Sequence, residues 1–145
     1  MKMNHELKVP SLIPVLVVEQ IGAAIAFYKE LGFSEIFSVP DETGKVVHAH
    51  LCKGESVLFL GRLGVSHYEG HQRAMTIEQS PVNQRGFGIT LILQVDDLAA
   101  TYKFVQSKGL EILAEPTDES YGDRVFFFID PFGYEWKISQ PISMS

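Results

Sequence analysis

The stretch ILQVDDLAATYKFVQSKGLEILA, residues 92–114, repeats the pattern of LVVEQIGAAIAFYKELGFSEIF, residues 16–37. Matching positions keep one offset of 77 residues without a gap, as from Val18 to Val95 (95 − 18). An ungapped offset of this kind indicates two copies of one structural module. The repeat decides the fold, because the element order of one copy is expected in the other.

Each copy begins with a strand and a helix. A β-branched, leucine-rich stretch leads to an acidic residue, Glu19 or Asp96, at the expected helix start, where it favours the helix dipole. Gly32 and Gly109 are expected to end the two helices. The apolar positions that predict the amphipathic helices recur every three or four residues and are Ile21, Ile25, Tyr28, Leu98, Tyr102 and Val105.

Three strand-forming stretches follow each helix. Lys53-Gly54 and Phe132-Gly133 are typical of the hairpin turns between such strands. Each copy is therefore a βαβββ module, and the predicted fold class is α+β, with paired modules that are each a curved mixed sheet with one helix. The predicted strands are FSEIFSV (33–39), KVVHAHLCKG (45–54), SVLFLGR (56–62), LEILAEP (110–116), RVFFFID (124–130) and YEWKISQ (134–140).

The chain is expected to form a single domain over residues 1–145. Module 1 covers about 9–62, a connector covers 63–86, and module 2 covers about 87–142. A connector of this length is unusual inside a compact domain. It either carries the chain from one module to the next or contributes a lid or a dimer contact.

Composition limits the partners. The net charge of −6 disfavours nucleic acid and anionic membranes and is compatible with a cationic ligand. The single cysteine, Cys52, cannot form an internal disulfide, and the polar start MKMNHELK is unlike a signal peptide. The apolar run at residues 9–18 contains two prolines and is too short for a membrane span. A cytoplasmic protein is therefore expected.

Two stretches resemble a known family. IPVLVVEQIGAAIAFYKELGF (13–33) is similar to the opening of bleomycin-resistance proteins, and YGDRVFFFIDPFGYEWKIS (121–139) resembles their ending and that of glyoxalase-like relatives. The chain thus resembles the vicinal oxygen chelate superfamily of glyoxalase I, bleomycin-resistance proteins and extradiol dioxygenases. The resemblance implies a homodimer with cavities at its interface, in which some members exchange an N-terminal strand.

The resemblance also implies where a metal would bind. Metalloenzymes of this superfamily take two ligands from each module, and the matching positions here are Ile13, Leu58 or Phe59, Thr90 and Lys137. This set does not suit a divalent cation, which needs imidazole, thiolate or carboxylate donors. No metal or cofactor is therefore expected, and Lys137 either lines an organic pocket with its own charge or extends from an edge strand into solvent.

A pair of histidines on a predicted strand offers a rival metal site. His48 and His50 are two residues apart on a predicted strand, so both side chains share one face. His67 and His71 follow in the connector, without a fixed spacing that supplies a third ligand. The pair either begins a metal site or lines the cavity with one imidazole and leaves the other partly solvated.

Other candidates surround the final hairpin. Arg124 would clamp a carboxylate or phosphate of a ligand, or it would pair with Asp123, Asp130 or another acid to hold the turn. Most aromatic residues of this region are expected in the core, and the remainder would stack on a planar or cationic ligand. The candidate ligand-binding residues are His48, His50, Phe59, Thr90, Tyr121, Arg124, Trp136 and Lys137.

Two functions follow from these patterns. The first is a metal-independent binding protein that sequesters an antibiotic or another planar or cationic small molecule. The alternative is a glyoxalase-like lyase or isomerase, or a dioxygenase, that uses a displaced metal or the acid–base groups His48, His50 and Lys137. The sequence assigns no catalytic residue, and the unsuitable metal positions favour the binding protein.

Overall fold

The structure is a computed structural model that describes residues 10–64 and 86–142. The chain divides into two compact units, residues 1–79 and 80–145. The first contains β1 (Val15–Val18), α1 (Ile21–Glu30), β2 (Ser34–Pro40), β3 (Val46–Lys53) and β4 (Ser56–Arg62). The second contains β5 (Leu91–Gln94), α2 (Leu98–Ser107), β6 (Ile112–Asp118), β7 (Asp123–Ile129) and β8 (Glu135–Pro141).

The two units share one topology. The first sheet has the order β1-β4-β3-β2 and the second has the order β5-β8-β7-β6. In each sheet the first strand runs parallel to the last, and the other neighbouring pairs are antiparallel. Each unit is thus a βαβββ module with a mixed sheet, which confirms the predicted α+β class. Their assignment to one domain stays a prediction, and the connector lies mostly outside the described residues.

Alternation along the strands separates two faces of each sheet. In β3, Ala49 and Leu51 are fully buried beneath α1, whereas His48 and His50, which alternate with them along the strand, point to the other face. In β7, Phe126 and Phe128 are buried on the side of α2, and Phe127 points away. The core of each module therefore lies between its helix and one face of its sheet.

The two helices lie where the repeat predicts them, but one buried position and the N-cap positions differ from the prediction. Ile21 and Tyr28 are buried as predicted, but Ile25 is only half-buried because Ala24 and Phe27 take the inner positions. The N-cap position of each helix lies one residue beyond the expected acid. Asp97, rather than Asp96, caps α2 by accepting a hydrogen bond from the amide of Ala100 at 3.1 Å. In the first module Gln20 occupies the cap position without a side-chain cap bond.

The helix ends agree with the prediction. Gly32 and Gly109 have φ angles of 104° and 67°, in the left-handed region that glycine adopts most easily. Within the part of the chain that the structure describes, no helix is both long and apolar enough to cross a membrane.

A buried carboxylate organises the hairpin between β7 and β8. Asp130 is 3% exposed. Its Oδ1 accepts hydrogen bonds from the amides of Phe132 at 2.9 Å and Tyr134 at 3.0 Å, and its Oδ2 accepts one from the indole N–H of Trp136 at 2.9 Å. Because these bonds tie the turn to the start of β8, Asp130 fixes the strand that carries Glu135 and Lys137.

Candidate functional site

Four side chains gather on the sheet face of the first module that points away from α1. His48 and His50 come from β3, Phe37 lies opposite His50 on β2, and Phe59 lies opposite His50 on β4. We call Phe37, His48, His50 and Phe59 the first cluster. Strand alternation and register alone bring them together, because each occupies the same phase of its strand.

The first cluster is a stack of flat rings. The His50 ring lies parallel to Phe59, with centroids 3.4 Å apart and an angle of 6° between the planes. Phe37 approaches the same imidazole at 4.2 Å in a tilted arrangement, and His48 meets it edge-on at 4.6 Å. Since Phe37 remains 46% exposed, the cluster presents aromatic surface that a planar molecule can stack against.

The two histidines contact each other directly. Nε2 of His48 and Nε2 of His50 are 2.6 Å apart, so one ring donates its N–H and the other accepts it. Burial, and then the nearby His48, lower the pKa of His50 below its ordinary value. The pair therefore favours a neutral imidazole at His50 near neutral pH, which suits an apolar surface for stacking.

Strand register decides between the two last-strand candidates of the first module. Val15 pairs with Phe59 on β4, and the repeat partner of Val15, Ile92 (15 + 77), pairs with Lys137 on β8. Phe59 is therefore the structural equivalent of Lys137. Leu58 is 3% exposed and lies on the opposite face, beneath α1.

A second group lies on the corresponding face of the second module. Lys137 of β8 lies between Ile92 of β5 and Phe127 of β7, and Tyr121 precedes β7. The ammonium Nζ of Lys137 donates a hydrogen bond to the hydroxyl oxygen of Tyr121 at 3.1 Å. It also lies 5.6 Å from the ring centroid of Tyr121 and 5.9 Å from that of Phe127. We call Ile92, Tyr121, Phe127 and Lys137 the second cluster.

Thr90 and Glu135 form a polar pair beside the second cluster. The Thr90 hydroxyl donates to Oε2 of Glu135 at 2.7 Å. Both residues line a small cavity of about 130 Å³. Its remaining wall is mostly glycine and apolar side chains: Gly86, Phe87, Gly88, Ile89, Ile129 and Gly133. A cavity of this size holds a small polar group rather than a whole drug-sized ligand, which needs at least about 300 Å³.

Two of the candidate ligand-binding residues lie away from these clusters. Trp136 is 3% exposed on the helix-facing side of β8, where its N–H reaches Asp130. Arg124 bonds Asp118 through its Nε at 2.6 Å and its Nη2 at 3.3 Å, rather than Asp123 or Asp130. This contact holds the pKa of the Asp118 carboxyl below its usual range. Arg124 thus joins β7 to β6.

Sequence reasoning missed Phe37, Phe127 and Glu135. A register shift between Glu35 and Phe37 interrupts the alternation of β2, so the face of Phe37 cannot be read from its sequence. The sequence pattern divides the aromatic residues of this region between the core and a ligand-stacking face, and it does not assign Phe127 to either. Glu135 had a usable signal, because it is two residues before Lys137 and shares its face.

The residues at the metal positions implied by the family do not fit a divalent cation. Ile13 and Phe59 offer no lone pair, Thr90 donates its hydroxyl to Glu135, and Lys137 places a cation there. Across residues 10–64 and 86–142, no three His, Cys, Asp or Glu side chains converge as a metal site. His67 and His71 lie outside the described residues.

The chain belongs to the class of proteins that repeat the βαβββ unit, because its two modules have the same strand order. A family model described as the Glyoxalase/Bleomycin resistance protein/Dioxygenase superfamily matches residues 10–138, and the chain belongs to this superfamily. The resemblance seen in the sequence is thereby confirmed at superfamily level.

Individual proteins are similar to this chain in sequence or in fold. An uncharacterised protein of Mycobacterium bovis is 30% identical over 134 residues, which cover 92% of this chain and 84% of that protein. A glyoxalase family protein from Bacillus cereus is 18% identical with a TM-score of 0.67, covering 97% of this chain and 100% of that one. A bleomycin-binding protein, solved in complex with bleomycin, is 21% identical with a TM-score of 0.54, covering 91% and 98%.

Proposed function

We propose that the protein binds a planar organic molecule and does so without a metal ion. The observation that supports this proposal is the identity of the residues at the four positions where the family resemblance implies metal ligands. These residues are Ile13, Phe59, Thr90 and Lys137. None of these side chains supplies the imidazole, thiolate or carboxylate that a divalent ion requires. The positions instead offer apolar contact, a hydroxyl and a fixed positive charge.

The surroundings of these positions favour stacking over catalysis. Phe59 lies in a layer of rings with His50 and Phe37, and Lys137 lies against Tyr121 and Phe127. Aromatic and apolar walls with few polar groups are the usual lining of sites for small organic ligands. The alternative lyase, isomerase or dioxygenase would use a displaced metal or the acid–base groups His48, His50 and Lys137. Among the described residues no three His, Cys, Asp or Glu side chains converge to hold that metal, and the imidazoles and the amine contact aromatic rings.

The bleomycin-binding structure adds support from outside the chain. A protein of similar fold was solved in complex with bleomycin, so this fold is able to hold an organic ligand. We extend this to the present protein as sequestration of an antibiotic or another planar compound. A cytoplasmic location, favoured by a single cysteine, and a homodimeric state, favoured by the family resemblance, complete the proposal.

A calorimetric titration with 2-naphthamide, a neutral planar probe, tests the proposal. We expect saturable binding with the same Kd in EDTA and in excess zinc chloride. Phe59→Ala should weaken binding by about three- to tenfold, the usual effect of one aromatic contact. Leu12→Ala, which removes an apolar side chain that is 87% exposed, is the matched control and should leave Kd unchanged.

The opposite pattern would overturn the proposal. Binding that appears only with zinc would restore a metal-dependent site. A Phe59→Ala protein that binds as tightly as the wild type would show that the first cluster does not contact the ligand.

A further inference from the structure

The ammonium of Lys137 is held on an otherwise apolar and aromatic surface. Its Nζ bonds one neutral oxygen, the Tyr121 hydroxyl, and lies against the rings of Tyr121 and Phe127. Its neighbour on β5 is Ile92. These contacts hold the amine in place while contributing no negative charge.

No carboxylate of the described chain comes within ion-pair distance of this amine. Glu135 is the nearest acid along β8 on the same face, and its Oε2 is engaged by the Thr90 hydroxyl. On β7 the Asp123 carboxylate accepts a hydrogen bond from Ser139 at 3.2 Å. Lys137 therefore makes no ion pair among the described residues, and the Glu135 carboxylate stays a separate charge on the same face of β8.

The surface is open to a ligand, since Tyr121 is 60% exposed and Ile92 is 59% exposed. A planar ligand that covers these side chains excludes water from the ammonium, which strengthens the attraction between the ammonium and an anionic group. An ammonium has three N–H donors, and the Tyr121 hydroxyl keeps its own hydrogen available after accepting from Lys137. Two adjacent donors suit the two oxygens of one carboxylate. The rings beside them suit an aromatic frame attached to that carboxylate.

We propose that the second cluster selects planar anions, in particular aromatic carboxylates, through Lys137 and Tyr121. This inference rests on the proposed function, since it names the class of ligand that the binding protein takes. It also revises the cationic ligand suggested by the net charge of the chain, because a cation beside Lys137 would be repelled.

Three matched probes test the inference by calorimetry: 2-naphthoate, 2-naphthamide and 2-naphthylmethylammonium. They share one planar ring system and differ in charge. We expect wild-type protein to bind the carboxylate about tenfold more tightly than the amide, and the ammonium more weakly than either. The preference for the carboxylate should decrease with added salt.

Variants assign the preference to the second cluster. Lys137→Met keeps an unbranched apolar chain and should bind carboxylate and amide with equal affinity, whereas Lys137→Arg should keep most of the preference. Tyr121→Phe should lose part of it, because one donor is removed. Lys103→Met removes an exposed lysine of α2 in the same module and should behave as the wild type. Circular dichroism of each variant checks that the fold is retained.

The outcomes separate this inference from the proposed function. Equal binding of all three probes would leave a small-molecule-binding protein and overturn the preference for anions. Retention of the full preference in Lys137→Met would also overturn it. Failure of all three probes to bind would contradict the proposed function itself, and the inference with it.

Discussion

Replacement of Asp130 by asparagine should destabilise the second module strongly, although the two side chains have nearly the same shape. The Asp130 carboxylate is buried and accepts hydrogen bonds from two backbone amides and from the indole of Trp136. An asparagine oxygen can replace Oδ1 toward the two amides. Its NH₂ group would then face the indole N–H, so two donors would meet where a donor met an acceptor.

The size of the effect follows from these bonds. Leaving the buried indole N–H without an acceptor costs about 1–3 kcal/mol. Changing two charge-assisted bonds into neutral ones costs roughly 1 kcal/mol each. The desolvation penalty of the buried charge disappears with the charge and offsets part of this loss. We expect a net decrease in the free energy of unfolding of about 2–3 kcal/mol.

Urea denaturation measures this decrease with a built-in reporter. Trp136 is the only tryptophan of the chain, so its fluorescence reports the environment of the Asp130 bond, and circular dichroism supplies an independent signal. Asp118→Asn is the matched control, because its partner Arg124 is exposed and the urea midpoint should barely change. In a Trp136→Phe background, Asp130→Asn should lower the free energy of unfolding by about 1–2 kcal/mol less than it does in the wild type. Equal midpoints for Asp130→Asn and Asp118→Asn would refute the reasoning.

Other predictions concern the first cluster and the glycines. The pKa of His50 is lower in the folded protein than in the unfolded chain, so the folded protein binds a proton there less readily. The contribution of neutral His50 to the free energy of unfolding is therefore complete above about pH 6.5 and is lost as the pH falls through the lowered pKa. Melting temperatures should therefore decrease more between pH 7 and pH 5 for the wild type than for His50→Gln, and parallel curves would contradict this. Gly22→Ala, within α1 and with open space around its added Cβ, should stabilise by about 0.5–1 kcal/mol. Gly109→Ala also has open space around its added Cβ, but Gly109 has a φ of +67°, so this change should destabilise the protein by about 1–2 kcal/mol. If urea titrations gave both glycine variants a change in the free energy of unfolding of the same sign, backbone conformation would not decide these sites.

Much of the fold could be predicted because the repeat reports the same physical pattern twice. Gly32 and Gly109 ended their helices as expected, since the left-handed conformation needed there strongly favours glycine. The acids expected at the helix starts, Glu19 and Asp96, lie one position before the observed cap residues, Gln20 and Asp97. Both Asp96 and Asp97 are suitable caps, and only the backbone shows which of them accepts the bond from Ala100.

The candidate sites were harder to predict, because a side chain's partners depend on strand register. Leu58 and Phe59 are adjacent in sequence and point to opposite faces, and the pairing of β4 with β1 decides which of them matches Lys137. Trp136 was a reasonable stacking residue by composition. Its burial and its bond to Asp130 place it on the helix side of β8, the face opposite to Lys137, as the alternation of adjacent strand residues indicates.

The most direct test of the account is a measurement of metal content. Protein expressed in rich medium, purified without a chelator or a histidine tag, and analysed by inductively coupled plasma mass spectrometry should contain far less than one transition-metal ion per chain. The same preparation should still bind 2-naphthamide at full stoichiometry. One tightly held zinc, nickel, iron or manganese ion per chain, with loss of probe binding on its removal, would contradict the account.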